Sequence, residues 1–169
     1  MTQHATFGGG CFWGIEKALE GIKGVIETQA GYMGGELENP TYEDVLSHKS
    51  GHAEVVQLIF DPGIVSYAQL LDFFFFVHNP TQVNRQGNDV GPQYRSAIFY
   101  HSDEQRIVAE AARAQLELEH PIATAIEPAG KFWTAEEYHQ KYLDKNPSGY
   151  CHVNLPAALS YLNAHGLEK

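Results

Sequence analysis

Near its N-terminus the chain reads Gly8-Gly9-Gly10-Cys11-Phe12-Trp13-Gly14. A short extended segment, residues 4–7, precedes the glycines. Apolar side chains then recur at three- and four-residue intervals, at Phe12, Ile15, Leu19 and Ile22. This spacing is typical of one apolar face of a helix, so the glycines are predicted to form a strand-to-helix turn. Cys11 would then lie at or near the first turn of that helix.

The position of Cys11 favours a reactive thiol. A sulfur at a helix N-terminus faces unpaired backbone N–H groups and the positive end of the helix dipole, and both favour the thiolate. Glycines carry no Cβ atom, so a substrate can approach the sulfur closely. Phe12 and Trp13 add apolar surface beside it. The alternatives are a small buried hydrophobic cysteine and a glycine run that forms only a tight turn or an anion-binding loop.

The size and composition of the chain indicate one globular domain over residues 1–169. Hydrophobic residues make up 43% of the sequence and charged residues 19%, which supplies enough apolar material for a core. The formal net charge of −10 argues against a nucleic-acid partner, because phosphate binding needs clustered Lys and Arg. No apolar run is long enough to span a membrane, and residues 1–5 lack the features of a signal peptide. We therefore expect a cytoplasmic protein without a membrane partner. We also expect a monomer.

The chain has only two cysteines, Cys11 and Cys151. In a secreted protein such a pair would suggest one structural bridge, whereas in a reducing cytoplasm it suggests two free thiols or a transient redox pair. Neither cysteine belongs to a Cys-x-x-Cys motif. This counts against both thioredoxin-like chemistry and a four-thiolate zinc site.

The strongest strand pattern covers residues 53–60, and it places Glu54 on the same side as Val56, Leu58 and Phe60. If that side faces the core, the carboxyl group is partly desolvated. Its pKa should then rise, and Glu54 could donate a proton at neutral pH. The alternative is a solvated carboxylate at the mouth of the strand with no chemical role.

Two further elements have clear local signals. A strand is predicted over residues 25–32, where one side carries alternate residues (Ile26, Thr28, Ala30 and Tyr32). The capping box Ser66-x-x-Gln69 predicts the start of a helix that runs to about Val77. This helix is apolar nearly all round, so its four phenylalanines, residues 73–76, are predicted to be core rather than a ligand site.

The second half of the chain has longer loops and weaker patterns. Residues 79–93 form a polar segment of a length that is usually functional or disordered. The patterns that follow predict a strand over 94–100, a helix capped by Ser102, a strand over 122–126, a helix capped by Thr134 that runs towards Lys145, and a weakly helical tail over 156–165. The predicted inner face of the helix after Ser102 consists of Ile107, Val108, Ala111, Ala112 and Leu116. Prolines and glycines break the chain just before Cys151, which is therefore predicted to lie on a mobile loop.

The order of these elements, β–α–β–β–α–β followed by α–β, predicts an α/β (α+β) fold. It fits a ferredoxin-like two-layer plait with an extension and a loop-rich C-terminal segment. In that fold the first strand-to-helix turn opens at one edge of the sheet. Spacing alone does not show whether Tyr42, Glu54 and residues 79–93 lie near that turn.

Four short motifs stand out along the chain. They are Gly10-Cys11-Phe12-Trp13-Gly14, Gly51-His52-Ala53-Glu54, the run GNDVGPQYRS over residues 87–96, and Gly149-Tyr150-Cys151. Together they resemble the A-type peptide methionine sulfoxide reductases, in the same order and over nearly the whole chain. The first and third motifs are specific. Pro92 departs from the family's pattern, which more often has a small polar residue there.

The resemblance implies reduction of the S epimer of methionine sulfoxide, in oxidised proteins and in the free amino acid. Cys11 would be the nucleophile, with Phe12 and Trp13 holding the terminal methyl group of the substrate. Three side chains would bind the sulfoxide oxygen (Tyr42, Glu54 and Tyr94), and Asp89 would help to hold the substrate. The chemistry is consistent with a neutral Glu54, because a sulfoxide sulfur is a poor electrophile until its oxygen is protonated or strongly hydrogen-bonded.

The resemblance also implies a second thiol step. Attack by the Cys11 thiolate leaves a sulfenic acid, which Cys151 would convert to a disulfide. Some members of the family relay the disulfide to a further C-terminal cysteine. This chain has none, so the Cys11–Cys151 bridge would be its final oxidised form. An external dithiol, thioredoxin or dithiothreitol, would reduce it, and no metal or organic cofactor is implied.

Three other functions are compatible with the residues alone. Cys11 could be the nucleophile of a hydrolase or acyltransferase with one of the nine histidines as its base, which would not need Cys151. The two cysteines could form a redox-sensing disulfide without turnover. A zinc site made of both cysteines and histidines is also conceivable, although nothing in the sequence has ligand spacing.

Overall fold

The computed structural model describes residues 1–169 as a mixed α/β fold built on one sheet. The strands and helices, in chain order, are β1 (Gln3–Gly9), α1 (Phe12–Glu20), β2 (Val25–Met33), α2 (Tyr42–Leu46), β3 (Ala53–Phe60), α3 (Tyr67–Val77), β4 (Arg85–Gln86), β5 (Asp89–Val90), β6 (Ser96–Tyr100), α4 (Asp103–Ala114), β7 (Ala125–Pro128), β8 (Trp133–Thr134), α5 (Tyr142–Lys145) and α6 (Leu155–Ala164). None of the helices combines the length and the apolar character that a membrane-spanning segment needs.

The sheet has six strands in the order β7-β6-β1-β3-β2-β8, and β4 and β5 form a separate hairpin. Neighbouring strands are antiparallel, except for the parallel pair β6 and β7. The register of the two central strands positions the site. Phe7 of β1 lies opposite Val56 of β3, so the end of β1 lies beside the start of β3. Glu54 is thereby placed next to the turn that carries Cys11.

The main core lies where α1 and α3 pack on the sheet. Phe73 and Phe74 of α3 are fully buried, and the ring of Phe74 stacks on Phe7 of β1 with centroids 4.9 Å apart. Burying each such side chain stabilises the fold by roughly 1.5–3 kcal/mol. The predicted core role of the phenylalanine run is therefore confirmed for three of its members. Phe76 is the exception, with 50% of its surface exposed.

The capping signals for two helices are confirmed. Ser66 Oγ accepts from the backbone N–H of Gln69, and the Gln69 side chain accepts in return from the N–H of Ser66. Ser102 caps α4 by accepting from the N–H of Gln105 at 3.2 Å. These caps depend only on residues three positions apart, so the sequence specifies them locally.

The predicted inner face of α4 is wrong in part. Ile107 is 57% exposed and Ala111 is exposed, whereas Gln105 and Ala109 are buried. The reason is that Gln105 turns inward to bond with two backbone groups: it accepts from the N–H of His101 and donates to the carbonyl of His4. Because the buried Gln105 lies at the centre of the face that packs on the sheet, that face does not coincide with the apolar residues of the sequence pattern.

The predicted alternation of β2 is wrong at its first member. Ile26 is 60% exposed, while Thr28, Ala30 and Tyr32 are buried as expected. The register of β2 against β3 shifts between Val25 and Glu27. A bulge of this kind adds one residue to the strand and reverses the alternation before it.

The structure around residue 134 also differs from the prediction. Thr134 does not cap a helix but lies in β8, opposite Gly31 of β2, and the N–H of Ala135 continues this pairing by donating to the carbonyl of Ala30. Pairing with a distant strand thus overrides the local capping pattern. Only a short 3₁₀ turn over Glu137–His139 and α5 (Tyr142–Lys145) are helical there, and the strand predicted over 122–126 lies instead at Ala125–Pro128.

The remaining differences concern loops. Tyr42–Leu46 forms the short helix α2, which is capped by Thr41. The polar segment over 79–93 contains the hairpin β4–β5 and leads into a 3₁₀ turn over Pro92–Tyr94, so Tyr94 is not in a strand as predicted. Pro92 is the first residue of that turn, a position that needs no backbone N–H. The tail is helical as predicted, in α6.

Candidate active site

Cys11 lies where β1 gives way to α1. The chain turns at Gly10, whose φ of +99° is a conformation that side chains rarely adopt. Cys11 is the N-cap residue of α1, its side chain makes no capping bond, and only 8% of its surface is exposed. The predicted strand–turn–helix is therefore confirmed, with the sulfur at the start of the helix.

Two glycines beside Cys11 leave room for the C-terminal loop. A Cβ atom added at Gly10 would lie 2.6 Å from His152 Nε2, and one added at Gly14 would lie 3.0 Å from Cys151 Sγ. The first distance is shorter than real Cβ contacts, and the second is tighter than most of them. Gly10 and Gly14 are thus part of the surface on which the segment around Cys151 packs.

Glu54 is buried at this turn, with 1% of its surface exposed. The backbone N–H of Phe12 donates to Glu54 Oε1 at 3.2 Å, and Glu54 Oε2 has no partner. Burial raises the pKa of this carboxyl to about 8, and the Phe12 N–H opposes that rise only in part. The alternative of a solvated carboxylate is therefore wrong, and Glu54 is mostly protonated at neutral pH.

Burial also affects Cys11, and it raises the pKa of the thiol, whereas the position at the helix N-terminus would lower it. Desolvation raises the pKa of the thiol most, the negative charge of an ionised Glu54 raises it further, and the N–H of Trp13 lowers it. The expectation that the helix terminus makes Cys11 a thiolate is thus wrong for the substrate-free protein. A nearly dry site favours the neutral thiol more strongly than one turn of backbone N–H groups favours the anion.

An aromatic wall stands next to the sulfur. Phe12 is fully buried, while Trp13 is partly exposed and donates from Nε1 to His139 Nδ1 at 2.9 Å. The Trp13 ring also stacks on Tyr142, with centroids 3.7 Å apart and planes 8° apart. The imidazole of His139 lies 5.0 Å from the ring of Phe12, centroid to centroid. These contacts fix the position of the indole beside Cys11.

The two predicted phenols come from α2 and from the turn before β6. Burial raises the pKa of Tyr42 to about 12, with further contributions from the charges of Glu54 and Cys11. Burial also raises the pKa of Tyr94, and the charges of Glu54, Tyr42, Cys11 and Asp89 raise it further. Such charge effects act over short distances, so Tyr42 and Tyr94 lie near Glu54 and Cys11. Ring contacts agree for Tyr42: its ring lies 4.4 Å from the imidazole of His139, which also contacts Phe12.

Asp89 and Cys151 are linked through Tyr150. The Tyr150 hydroxyl donates to Asp89 Oδ2 at 2.8 Å, at the exposed rim of the site. Cys151 itself is half-buried in an irregular loop, and its Sγ donates to the carbonyl of Val153 at 3.3 Å. Both cysteines are free thiols, so the structure contains no structural bridge.

Several residues of the site escaped the sequence analysis. Glu136 accepts from the hydroxyl of Tyr32 at 2.8 Å and from the backbone N–H of Tyr42 at 2.9 Å, so it holds the start of α2. His139 orients Trp13, and His152 packs on the glycine turn. Only His152, which directly follows Cys151, has a sequence position that could have drawn attention. No three His, Cys, Asp or Glu side chains converge as a metal site would require.

Comparison with known proteins identifies the site. The profile of the family described as peptide methionine sulfoxide reductase matches residues 3–168. The chain belongs to the peptide methionine sulfoxide reductase family. The reductase is 59% identical, over 155 residues, to the peptide methionine sulfoxide reductase MsrA of Methanothermobacter thermautotrophicus, a match that covers 89% of this chain and 92% of that relative.

Solved structures agree with this assignment. The reductase is similar to Mxr1 from Saccharomyces cerevisiae in its reduced form, with a TM-score of 0.81, 38% identity, and coverage of 89% of this chain and 88% of that one. It is also similar to Mxr1 in a complex with Trx2, with a TM-score of 0.55, 28% identity, and coverage of 83% and 84%.

The family assignment resolves two of the three alternatives from the sequence. The reductase is an enzyme that reduces methionine sulfoxide with thiols, and the similarity to the A type is confirmed. It is neither a cysteine hydrolase nor a sensor without turnover.

Proposed function

We propose that Cys11, Glu54 and Cys151 perform the reduction of methionine sulfoxide in two thiol steps. The observation that carries this assignment is the Glu54 carboxyl, which is buried at the N-terminal turn of α1 with Oε2 unpartnered. A protonated carboxyl beside the only thiol at a helix N-terminus supplies both an acid and a nucleophile.

In the first step the sulfoxide oxygen occupies the space in front of Glu54 Oε2. Glu54 protonates it, while the hydroxyls of Tyr42 and Tyr94 donate hydrogen bonds that stabilise the developing charge. The sulfur of Cys11 attacks the sulfoxide sulfur, and its own proton replaces the one that Glu54 gave. The hydroxyl then passes to Cys11: an S–O bond to Cys11 forms, while the S–O and S–S bonds to the substrate sulfur break. Methionine leaves, reduced by two electrons, and Cys11 remains as a sulfenic acid. This proton exchange is consistent with a resting Cys11 that is a neutral thiol.

The substrate is held by two kinds of contact. Phe12 and Trp13 enclose the terminal methyl group, and Trp13 is kept in place by its bond to His139 and its stacking on Tyr142. Asp89, at the exposed rim, contacts the rest of the substrate. We infer selectivity for one epimer, because the aromatic side chains and Glu54 lie on fixed sides of the attacking sulfur, and the family resemblance implies that this is the S epimer. Both protein-bound and free methionine sulfoxide are proposed as substrates.

In the second step Cys151 attacks the sulfenic sulfur, water leaves, and a Cys11–Cys151 disulfide forms. An external dithiol then reduces the disulfide. We propose thioredoxin for this role, since a relative with 28% identity is known in a complex with Trx2. Dithiothreitol would serve in vitro, and no metal or organic cofactor takes part.

We further propose that the chain acts as a single catalytic domain and a monomer, in the cytoplasm. Its core is best classed as a ferredoxin-like plait. The sheet order β6-β1-β3-β2, with every neighbour antiparallel and α1 and α3 as the crossovers, supports that class.

The test is turnover of racemic methionine sulfoxide with dithiothreitol, with methionine and the remaining epimers measured by chiral chromatography. We expect half of the racemate, the S epimer, to be consumed, and Cys11→Ser to consume none. Consumption of both epimers at similar rates would contradict the pocket assignment. Methionine formation by Cys11→Ser would contradict the assignment of the nucleophile.

A further inference from the structure

His152 lies against Gly10, which precedes Cys11, and against Gly14, which follows it by three residues. Its Nε2 is 2.8 Å from the carbonyl oxygen of Gly9, the last residue of β1. A Cβ atom added at Gly10 would lie 2.6 Å from Nε2, and one added at Gly14 would lie 3.3 Å from Nδ1. The imidazole therefore fills the space that both glycines leave open.

The hydrogen bond defines the state of the ring. A carbonyl oxygen only accepts, so Nε2 carries the proton and donates it to Gly9. Nδ1 is buried without a partner, and burial lowers the pKa of His152. The imidazole is thus neutral at pH 7, and its one strong interaction joins the C-terminal loop to the strand that leads into Cys11.

The Cys151 sulfur is positioned by the same packing. Cys151 precedes His152 directly, and its Sγ lies over the first turn of α1, 3.0 Å from where a Cβ of Gly14 would be. The other side of the loop is held by the bond from Tyr150 to Asp89. No strand or helix includes residues 146–154, so these side-chain bonds take the place of secondary structure.

We propose that His152 is a positioning residue that holds the Cys151 loop on the N-terminal turn of α1 and thereby speeds resolution of the Cys11 sulfenic acid. The proposal rests on the resolving role of Cys151 given above. In that step the Cys151 sulfur attacks the Cys11 sulfur, an S–S bond forms and the S–O bond breaks. The Cys151 thiol proton and the hydroxyl leave as water, so Cys11 is reduced while Cys151 is oxidised. A loop held close to its target raises the effective concentration of the attacking thiol.

Two variants separate the hydrogen bond from the presence of a side chain. In His152→Gln the amide nitrogen can take the place of Nε2 and still donate to Gly9, whereas the shorter side chain of His152→Asn cannot reach it. His165→Asn is a matched control, because His165 is exposed and bonds only to the carbonyl of Tyr161. Each protein is mixed once with methionine sulfoxide without reductant. Methionine is measured by rapid quench, and the disulfide and the dimedone-trapped sulfenic acid are measured by mass spectrometry.

We expect His152→Asn to form the disulfide roughly tenfold more slowly, the change that follows from losing one buried hydrogen bond, while its rate of methionine formation stays close to that of the unsubstituted protein. His152→Gln should restore most of the disulfide rate, and His165→Asn should change neither rate. Equal disulfide rates in the Gln and Asn variants, whether both fast or both slow, would overturn the proposal. So would a fall in methionine formation by the same factor. Methionine formation by Cys11→Ser would instead disprove the proposed function itself, so the two failures are distinguishable.

Discussion

Replacing Glu54 by Gln should change how the stability of the protein depends on pH. The side chain of Gln keeps an oxygen that can accept from the N–H of Phe12, as Glu54 Oε1 does at 3.2 Å, but it does not titrate. In the folded protein the pKa of Glu54 is raised from its ordinary value of 4.5 to about 8, with burial as the largest cause. The folded state therefore binds this proton more tightly than the unfolded chain does.

The sign and size of the effect follow from this difference. Between pH 4.5 and 8 unfolding releases the Glu54 proton, so the free energy of unfolding falls as the pH rises through that window. Each pH unit is worth about 1.4 kcal/mol, which gives about 5 kcal/mol across the whole window. Below pH 4.5 Glu54 contributes no pH dependence. The Gln variant should lack this contribution, so its stability relative to that of the unsubstituted protein should increase steadily from pH 5 to pH 8.

The assay is urea unfolding of the reduced proteins at intervals between pH 4 and pH 9, followed by tryptophan fluorescence. Other titrating groups are common to both proteins and cancel in the difference. Glu104→Gln controls for the loss of one negative charge, because Glu104 is exposed on α4, and it should give no comparable trend. Stability curves of Glu54→Gln and the unsubstituted protein that run parallel over this range would refute the claim that Glu54 is a buried, protonated acid.

Three further predictions concern the chemistry. Glu54→Gln should slow methionine formation in a single turnover by ~10²–10⁴-fold, the usual share of general acid catalysis, and a rate within a few-fold of the unsubstituted protein would mean that the tyrosines suffice. Trp13→Ala should lower kcat/KM for alkyl sulfoxides, because one aromatic side chain that holds the substrate is lost; the loss in transition-state stabilisation should be at most on the order of 3 kcal/mol. An unchanged kcat/KM in steady-state kinetics would mean that Trp13 only packs in the fold. Gly14→Ala places a Cβ atom 3.0 Å from Cys151 Sγ and 3.1 Å from Val153 Cγ2, so it should slow disulfide formation more than methionine formation, and quenched-flow rates that fall together would contradict that reasoning.

The sequence predicted those parts of the fold that depend on local signals. The turn at Cys11, the strand that carries Glu54 and the caps at Ser66 and Ser102 each arise from residues a few positions apart. The predictions failed where pairing with a strand distant in the sequence sets the local structure. The pairing of Thr134 with Gly31 replaced a predicted helix, for example.

The candidate site shows the same division. The alternation of β3 placed Glu54 on one side with Val56, Leu58 and Phe60 but left open whether that side is buried, and the structure shows that it is. The bond from Trp13 to His139 joins residues 126 positions apart, and no local pattern announces it. The state of Cys11 could not be predicted either. Its helix position favours the thiolate, and only the folded structure shows that burial is the stronger effect.

The central claim is that Cys11 takes the oxygen and that Cys151 acts only afterwards. It is tested most directly by one turnover of Cys151→Ser with methionine sulfoxide in the presence of dimedone, followed by peptide mapping. We predict about one methionine per enzyme, with a dimedone adduct on Cys11. The unsubstituted protein should instead form a Cys11–Cys151 disulfide, and only after it has met the substrate. Methionine formed without an adduct on Cys11, or a disulfide already present in fully reduced protein that has met neither sulfoxide nor air, would contradict the account.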